Sequence, residues 1–335
     1  MRRYFNTEGL CNPKIHYMVR LDERLEKIRR RYIERGSYFV INRGRQYGKT
    51  TMLRALAEYL RPDYIVLSMD FQEIGSAEFR DEAVFSRAFA EILIKAYRYN
   101  TDAGDVEEYV RPLTDLLDTG KNVVLRELFD QISRVCERSP KPIVMMIDEV
   151  DSASNHQVFL DFLAILRGYY LRREEQPTFQ SVILAGIYDI KNLKMKIRPE
   201  SEHKYNSPWN IAADFDMNMS FDSTDIAAMI QEYEADNNTG MDVKAVSESI
   251  YGYTSGYPYL VSLICQILDD KISEIRSFEG KKAWTEAGVA EAVKIVLNKT
   301  SVPLFDSMIK QLDTFDDLRK VIEEILYQGK QPKDV

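Results

Sequence analysis

An α/β fold built on a parallel sheet with helices on both faces, followed by an all-helical region, is what this sequence predicts. Three observations carry it. Four short apolar runs, at residues 38–41, 64–69, 143–147 and 182–185, are separated by stretches of helical spacing. Two of these runs end in acids, one at Asp70 and one at the pair Asp148-Glu149. From Thr224 onward only the helical period remains.

Each element has its own signal. Residues 1–19 read as irregular, with Asn6, Gly9 and Pro13. Leu21, Leu25, Ile28 and Tyr32 then recur at helical spacing, and Gly36 ends that helix. The first strand, 38–41, leads through a loop into a helix over 50–59, with Leu53, Leu56 and Leu60 as its buried stripe. Pro62 breaks the pattern before the second strand. Val84, Phe85, Phe89, Ile92 and Leu93 predict a helix over 84–97, whereas residues 101–121 give mixed signals. Helices over 125–136 and 157–170 flank the third strand, the latter packed by Phe159, Leu160, Leu163 and Leu166. A short fifth strand is expected over 215–219. The helical region should hold helices over 224–236, 242–251, 258–268, 282–297 and 304–327. The change of pattern sets the expected domains at 1–222 and 223–335, with a polar, loose tail from Gln328.

A chain of 335 residues can bury a large core and form two domains. Its formal net charge of -8 gives no global attraction to nucleic acid. Arg29-Arg30-Arg31 fits the wet side of a helix. Cys11, Cys136 and Cys265 are too few and too widely spaced for a disulfide framework or a zinc pattern. No apolar run follows Arg2-Arg3, so no signal peptide is expected. No stretch reaches the roughly 18 apolar residues of a membrane span. The expected location is cytoplasmic, with no membrane partner.

The loop after the first strand carries the main chemistry. It reads Arg43-Gly44-Arg45-Gln46-Tyr47-Gly48-Lys49-Thr50-Thr51. The pattern G-x-x-x-x-G-K-[ST] fits it except at Arg43, which stands at the first glycine position. Backbone N–H groups of such a loop hold phosphate oxygens, and the following helix adds its positive N-terminus. Lys49 is expected to reach the β- and γ-phosphates of ATP, and Thr50 to hold magnesium (Mg2+). Arg43 either distorts the turn or sits outside the cradle while Gly44 supplies the flexibility.

The third strand ends in the second signal. Four apolar residues bury it, and Asp148 emerges at its C-terminal end, where ligands bind in open parallel sheets. Asp148 is the expected magnesium anchor, and Glu149 the expected general base that polarises the attacking water. Asp151 either orients the loop or contacts a neighbour. Asp70 is as well explained by ordering its loop as by catalysis.

With these motifs in place the chain resembles the AAA-like ATPases of the P-loop class found in bacteria, related to the signal-transduction ATPases with numerous domains. The resembling segments are residues 16–19, 38–51, 147–151, 181–193, 206–212 and 256–260. The resemblance implies a P-loop NTPase three-layer parallel sheet core followed by an all-helical lid or a winged-helix-like region. It implies that Tyr17 and Met18, within segment 16–19, lie against adenine. Tyr188 or Asp189 would sit near the γ-phosphate, and Gly256 and Pro258 would approach the nucleotide from the second domain. Relatives lacking the first loop glycine are part of the resemblance, which accommodates Arg43. Relatives often carry a C-terminal nuclease-like domain, whose pattern of an aspartate strand and a Glu-x-Lys strand is not found after residue 270.

Other residues have duller readings. Arg167, Arg172 and Arg173 could serve as arginine fingers in an oligomer, though salt-bridged or solvated helix arginines explain them better. Trp209 reads as a packed anchor. His16, His156 and His203 form no metal pattern. The expected activity is magnesium-dependent ATP binding and hydrolysis used as a switch. The alternatives are an ATP-binding interaction module with negligible hydrolysis, and a nucleic-acid-linked ATPase. A protein partner or a homo-oligomer would read the switch. Nucleic acid stays open without support from charge.

Overall fold

A computed structural model describes residues 2–100, 106–187, 209–278, 282–299 and 301–329. The chain divides into two compact units. One holds Arg20–Met219, and the other joins Met1–Val19 to Ser220–Val335.

The chain begins with β1 (Tyr4–Phe5) and β2 (His16–Tyr17), a short parallel pair where irregular chain was expected. The sheet unit then runs α1 (Asp22–Ile28), β3 (Tyr38–Asn42), α2 (Lys49–Leu60), β4 (Ile65–Asp70), α3 (Glu82–Asn100), α4 (Val106–Asp118), α5 (Leu125–Arg138), β5 (Ile143–Asp148), α6 (Gln157–Leu171) and β6 (Ser181–Gly186). The predicted first helix is split, since α1 passes into a π-helical turn at Arg29–Ile33. The mixed region contains α4, which has Pro112 inside it.

Four parallel strands stand in the order β3-β6-β5-β4. Alternate strand residues face opposite ways, which builds the three layers. Phe39, Ile41, Val66, Val144, Met146, Ile183 and Ala185 pack with α1 and α2. Tyr38, Val40, Leu67, Met145, Ile147, Val182 and Leu184 pack with α3 to α6. Both faces are apolar because both are covered, so the strands read as continuous apolar runs.

The fifth strand expected over 215–219 does not form. Phe215, Met217 and Met219 are buried while Asp216 and Asn218 are exposed, so the alternation is real. However, among the described residues the one bridge to the sheet lies just before it, Phe39 with Ala213, where Ala213 N donates to Tyr38 O at 2.8 Å. Without a ladder it is an extended strap, not a strand.

The second unit contains α7 (Ser223–Asn237), α8 (Val243–Thr254), α9 (Pro258–Asp270), α10 (Glu286–Leu297), α11 (Pro303–Thr314) and α12 (Asp316–Gln328). The long final helix expected over 304–327 is two helices broken at Phe315. Asp222 caps α7 by accepting from Asp225 N, and Asp242 caps α8 by accepting from Ala245 N. The core of this unit joins Phe5, Tyr17 and Val19 to Tyr233, Trp284 and the buried faces of α7 to α10.

Candidate functional site

The phosphate-type loop spans the six residues between β3 and α2. Gly48 takes φ 78 at the N-terminus of α2, and Gln46 takes φ 56. A Cβ at Gly48 would meet nothing within 4 Å, so glycine is needed there for its backbone conformation, not for space. Gln46 holds the same left-handed region without that freedom, a local strain of the kind found at ligand loops.

Lys49 is buried. Its Nζ donates to Arg43 O at 3.0 Å and to Gly44 O at 3.1 Å, so the ammonium sits inside the curl of its own loop. Burial pushes its pKa down, against the opposing pull of Glu149 and Asp148. Next to it, Thr50 Oγ1 donates to Asp148 Oδ2 at 2.7 Å. Asp148 is itself buried, and its Oδ1 accepts from Glu149 N at 2.9 Å. The last residue of β5 thus faces the first turn of α2.

Glu149 follows in the left-handed region at φ 52. Burial raises its pKa, and Asp148 raises it further. The register pairs Asp70 with Asp148 at the C-terminal ends of β4 and β5. Asp70 is also raised by burial, while its side chain accepts from Gln72 N at 2.8 Å. Asp151 has a structural place, since its Oδ2 accepts from Ile187 N at 2.6 Å. A Cβ on Gly186 would lie 2.9 Å from Val150 Cγ2 and 3.0 Å from Asp151 Oδ1, so the end of β6 and the turn after β5 need glycine to meet. A cavity of about 330 Å³ opens beside Thr50, Asp70 and Asp148 and runs along α2 past Arg54 and Arg61.

The loop fits a phosphate group. A buried cation whose two partners are neutral carbonyls, at a helix N-terminus, is a place for an anion. Among the described residues no cluster of three or more His, Cys, Asp or Glu side chains could hold a metal by itself. Thr50 and Asp148 are a two-residue set, which suits magnesium held mainly by phosphate and water.

Sequence reasoning brought together Lys49, Thr50, Asp148 and Glu149, along with Gly44, Arg45, Gln46, Tyr47, Gly48 and Thr51 of the same loop and helix start. Tyr17, Met18, Gly256 and Pro258 belong to the other unit. There Tyr17 is buried, donates to Asp236 Oδ2 at 2.9 Å and packs against Phe5 and Tyr233. Gly256 takes φ +71, and its carbonyl accepts from Phe221 N at 2.8 Å. Pro258 opens α9. His16 Nδ1 accepts from Asn12 N at 2.9 Å. Arg173 donates to Gly36 O at 2.8 Å and lies over Tyr170, a fold-holding place. Tyr188, Asp189 and His203 lie outside the described residues.

What sequence reasoning missed is the work of Arg43, whose side chain leaves the loop and grips the strap at Phe215 and Met217. The only signal was an arginine in a glycine's place.

Among solved structures, the chain is similar to the ORC2 protein of Aeropyrum pernix in ADPNP-ADP complexes. The identity is 12%, the TM-score 0.47, and the match covers 87% of this chain and 71% of that one. CDC6P from Pyrobaculum aerophilum gives 10% identity and a TM-score of 0.48, over 84% and 68% of the two chains. The Aeropyrum pernix ORC1 protein in complex with DNA gives 11% and 0.43, over 83% and 66%. No curated protein matches the sequence. The family match is of another kind, for residues 13–289 fit the AAA-like domain and span most of the chain. With a glycine-lysine-threonine loop and an acid-tipped β5 on a parallel sheet, this chain belongs to the AAA-like domain family.

Proposed function

We propose that this chain binds ATP with magnesium on the loop 43–50 and works as a nucleotide-gated switch. The observation that supports this best is the pairing of a buried Lys49 ammonium on loop carbonyls with the Thr50–Asp148 hydrogen bond beside it. In this reading the N–H groups of Gly44 to Thr51 face the phosphates, and Lys49 exchanges its carbonyl partners for phosphate oxygens. Thr50 and Asp148 hold the magnesium. Bound magnesium supplies positive charge that offsets the phosphate charge.

Hydrolysis is the second reading, favoured by Glu149. Its backbone is held in the left-handed region next to Asp148, and its carboxyl has an elevated pKa. A carboxylate so placed can accept a proton from water. Phosphate release measured with magnesium, for the wild type and Glu149→Gln, tests this. The hydrolase reading requires release by the wild type and loss in Glu149→Gln with ATP still bound. Binding without release leaves the nucleotide-gated module.

A further inference from the structure

Arg43 ties three parts of the sheet unit to one residue. Its backbone N–H donates to Gly186 O at 3.1 Å, at the end of β6. Its carbonyl accepts from Lys49 Nζ at 3.0 Å. Its guanidinium turns away from the loop, where Nη2 donates to Met217 O at 3.0 Å and reaches Phe215 O at 3.5 Å. Nη1 donates back to Asn42 O at 3.0 Å. The guanidinium carbon lies 5.8 Å from the centre of the Phe215 ring.

Side chains also hold the strap that receives this grip. Phe215 stacks on Phe39 at 5.5 Å with the rings 8° apart. Tyr32 OH donates to Asp214 O at 3.0 Å and to Asp216 Oδ1 at 2.9 Å. Among the described residues the strap has one bridge to the sheet, at Ala213, and these outside donors add to its order. Arg43 satisfies two of its carbonyls with a charged donor, the stronger kind of hydrogen bond.

We infer that Arg43 is a positioning residue that couples the occupancy of the phosphate loop to the order of the strap 213–219. The inference rests on the nucleotide reading above. The link is mechanical and short: Lys49 Nζ bonds the Arg43 carbonyl, and the Arg43 side chain bonds the strap. When Lys49 turns to a phosphate, it leaves the Arg43 carbonyl, and the change is felt at Phe215 and Met217. By reciprocity, a strap that favours the loaded loop must itself be favoured by loading. The arginine also replaces the conformational freedom of a glycine with external anchoring, which fixes where the loop begins.

Amide hydrogen exchange on the full chain, with and without magnesium and ATP, tests this for the wild type, Arg43→Ala and Arg43→Lys. Without nucleotide, Arg43→Ala should exchange at least about five-fold faster over 214–219 than the wild type, with α3 and α5 unchanged. With ATP, the wild type should change its exchange over both 44–51 and 214–219. Arg43→Ala should respond over 44–51 alone and bind ATP about five-fold or more weakly, the lower end of ordinary coupling. Arg43→Lys, with one point donor, should recover part of both effects. An unchanged strap in nucleotide-free Arg43→Ala overturns the tether. A strap that responds to ATP as strongly in Arg43→Ala as in the wild type overturns the coupling. A wild-type loop that ATP leaves unprotected removes the nucleotide reading itself, and the coupling with it.

Discussion

Thr50 Oγ1 donates to Asp148 Oδ2 at 2.7 Å, joining the first turn of α2 to the last residue of β5. The bond fixes the two residues that would share a magnesium ion before any ion arrives. Such preorganisation lowers the ordering cost of binding. Thr50→Ala should therefore weaken ATP binding about ten-fold in the presence of magnesium and much less in its absence. Isothermal titration in both conditions checks the difference.

Lys49 carries the opposite expectation for stability. Its ammonium is buried against carbonyls, and burial lowers its pKa, so the charge is held at a desolvation cost. Lys49→Met should leave the melting temperature unchanged or raise it, while nucleotide binding is lost. A melting curve beside a binding titration separates the two effects.

Gly256 stands in the left-handed region, where a Cβ would come 1.7 Å from Phe221 O and 2.7 Å from Phe221 C. Both neighbours are backbone, so no side-chain rotation relieves the clash. Gly256→Ala should destabilise the helical unit by about 3 kcal/mol, the upper end for backbone strain and overpacking. Thermal unfolding followed by tryptophan fluorescence reads it through Trp284, which lies in that unit's core.

Asp236 gives a pH prediction. The Arg3 guanidinium, first, and the Tyr17 hydroxyl hold its carboxyl below the usual carboxylate range. A carboxyl with a lowered folded pKa adds stability above its unfolded pKa and loses it as pH falls through the folded one. The contribution should be intact at pH 7 and fade below about pH 4. Asp236→Asn should lower the melting temperature slightly at pH 7, and the gap to wild type should close in acid.

Much of this was legible in the sequence because the signals are local. Apolar runs that follow Gly36 or end at Asp70 and Asp148 mark strands, and Gly48-Lys49-Thr50 marks the loop. The failures are cases where a local pattern needs a distant partner. Phe215, Met217 and Met219 alternate as a strand does, but among the described residues they join no ladder, and one bridge at Ala213 precedes them. Tyr4–Phe5 and His16–Tyr17 are too short to carry a pattern, and their pairing is set by packing with Tyr233 and Trp284. The break at Phe315 interrupts an otherwise continuous helical period. Arg43 could not be placed because its partners lie 172 and 174 residues away.

The most direct test of the central claim is a titration of ATP into the wild type and Lys49→Ala, with magnesium and with chelator. The account predicts saturable binding by the wild type that strengthens with magnesium, and none by a folded Lys49→Ala. Equal binding by both proteins, or no binding by the wild type, would contradict it.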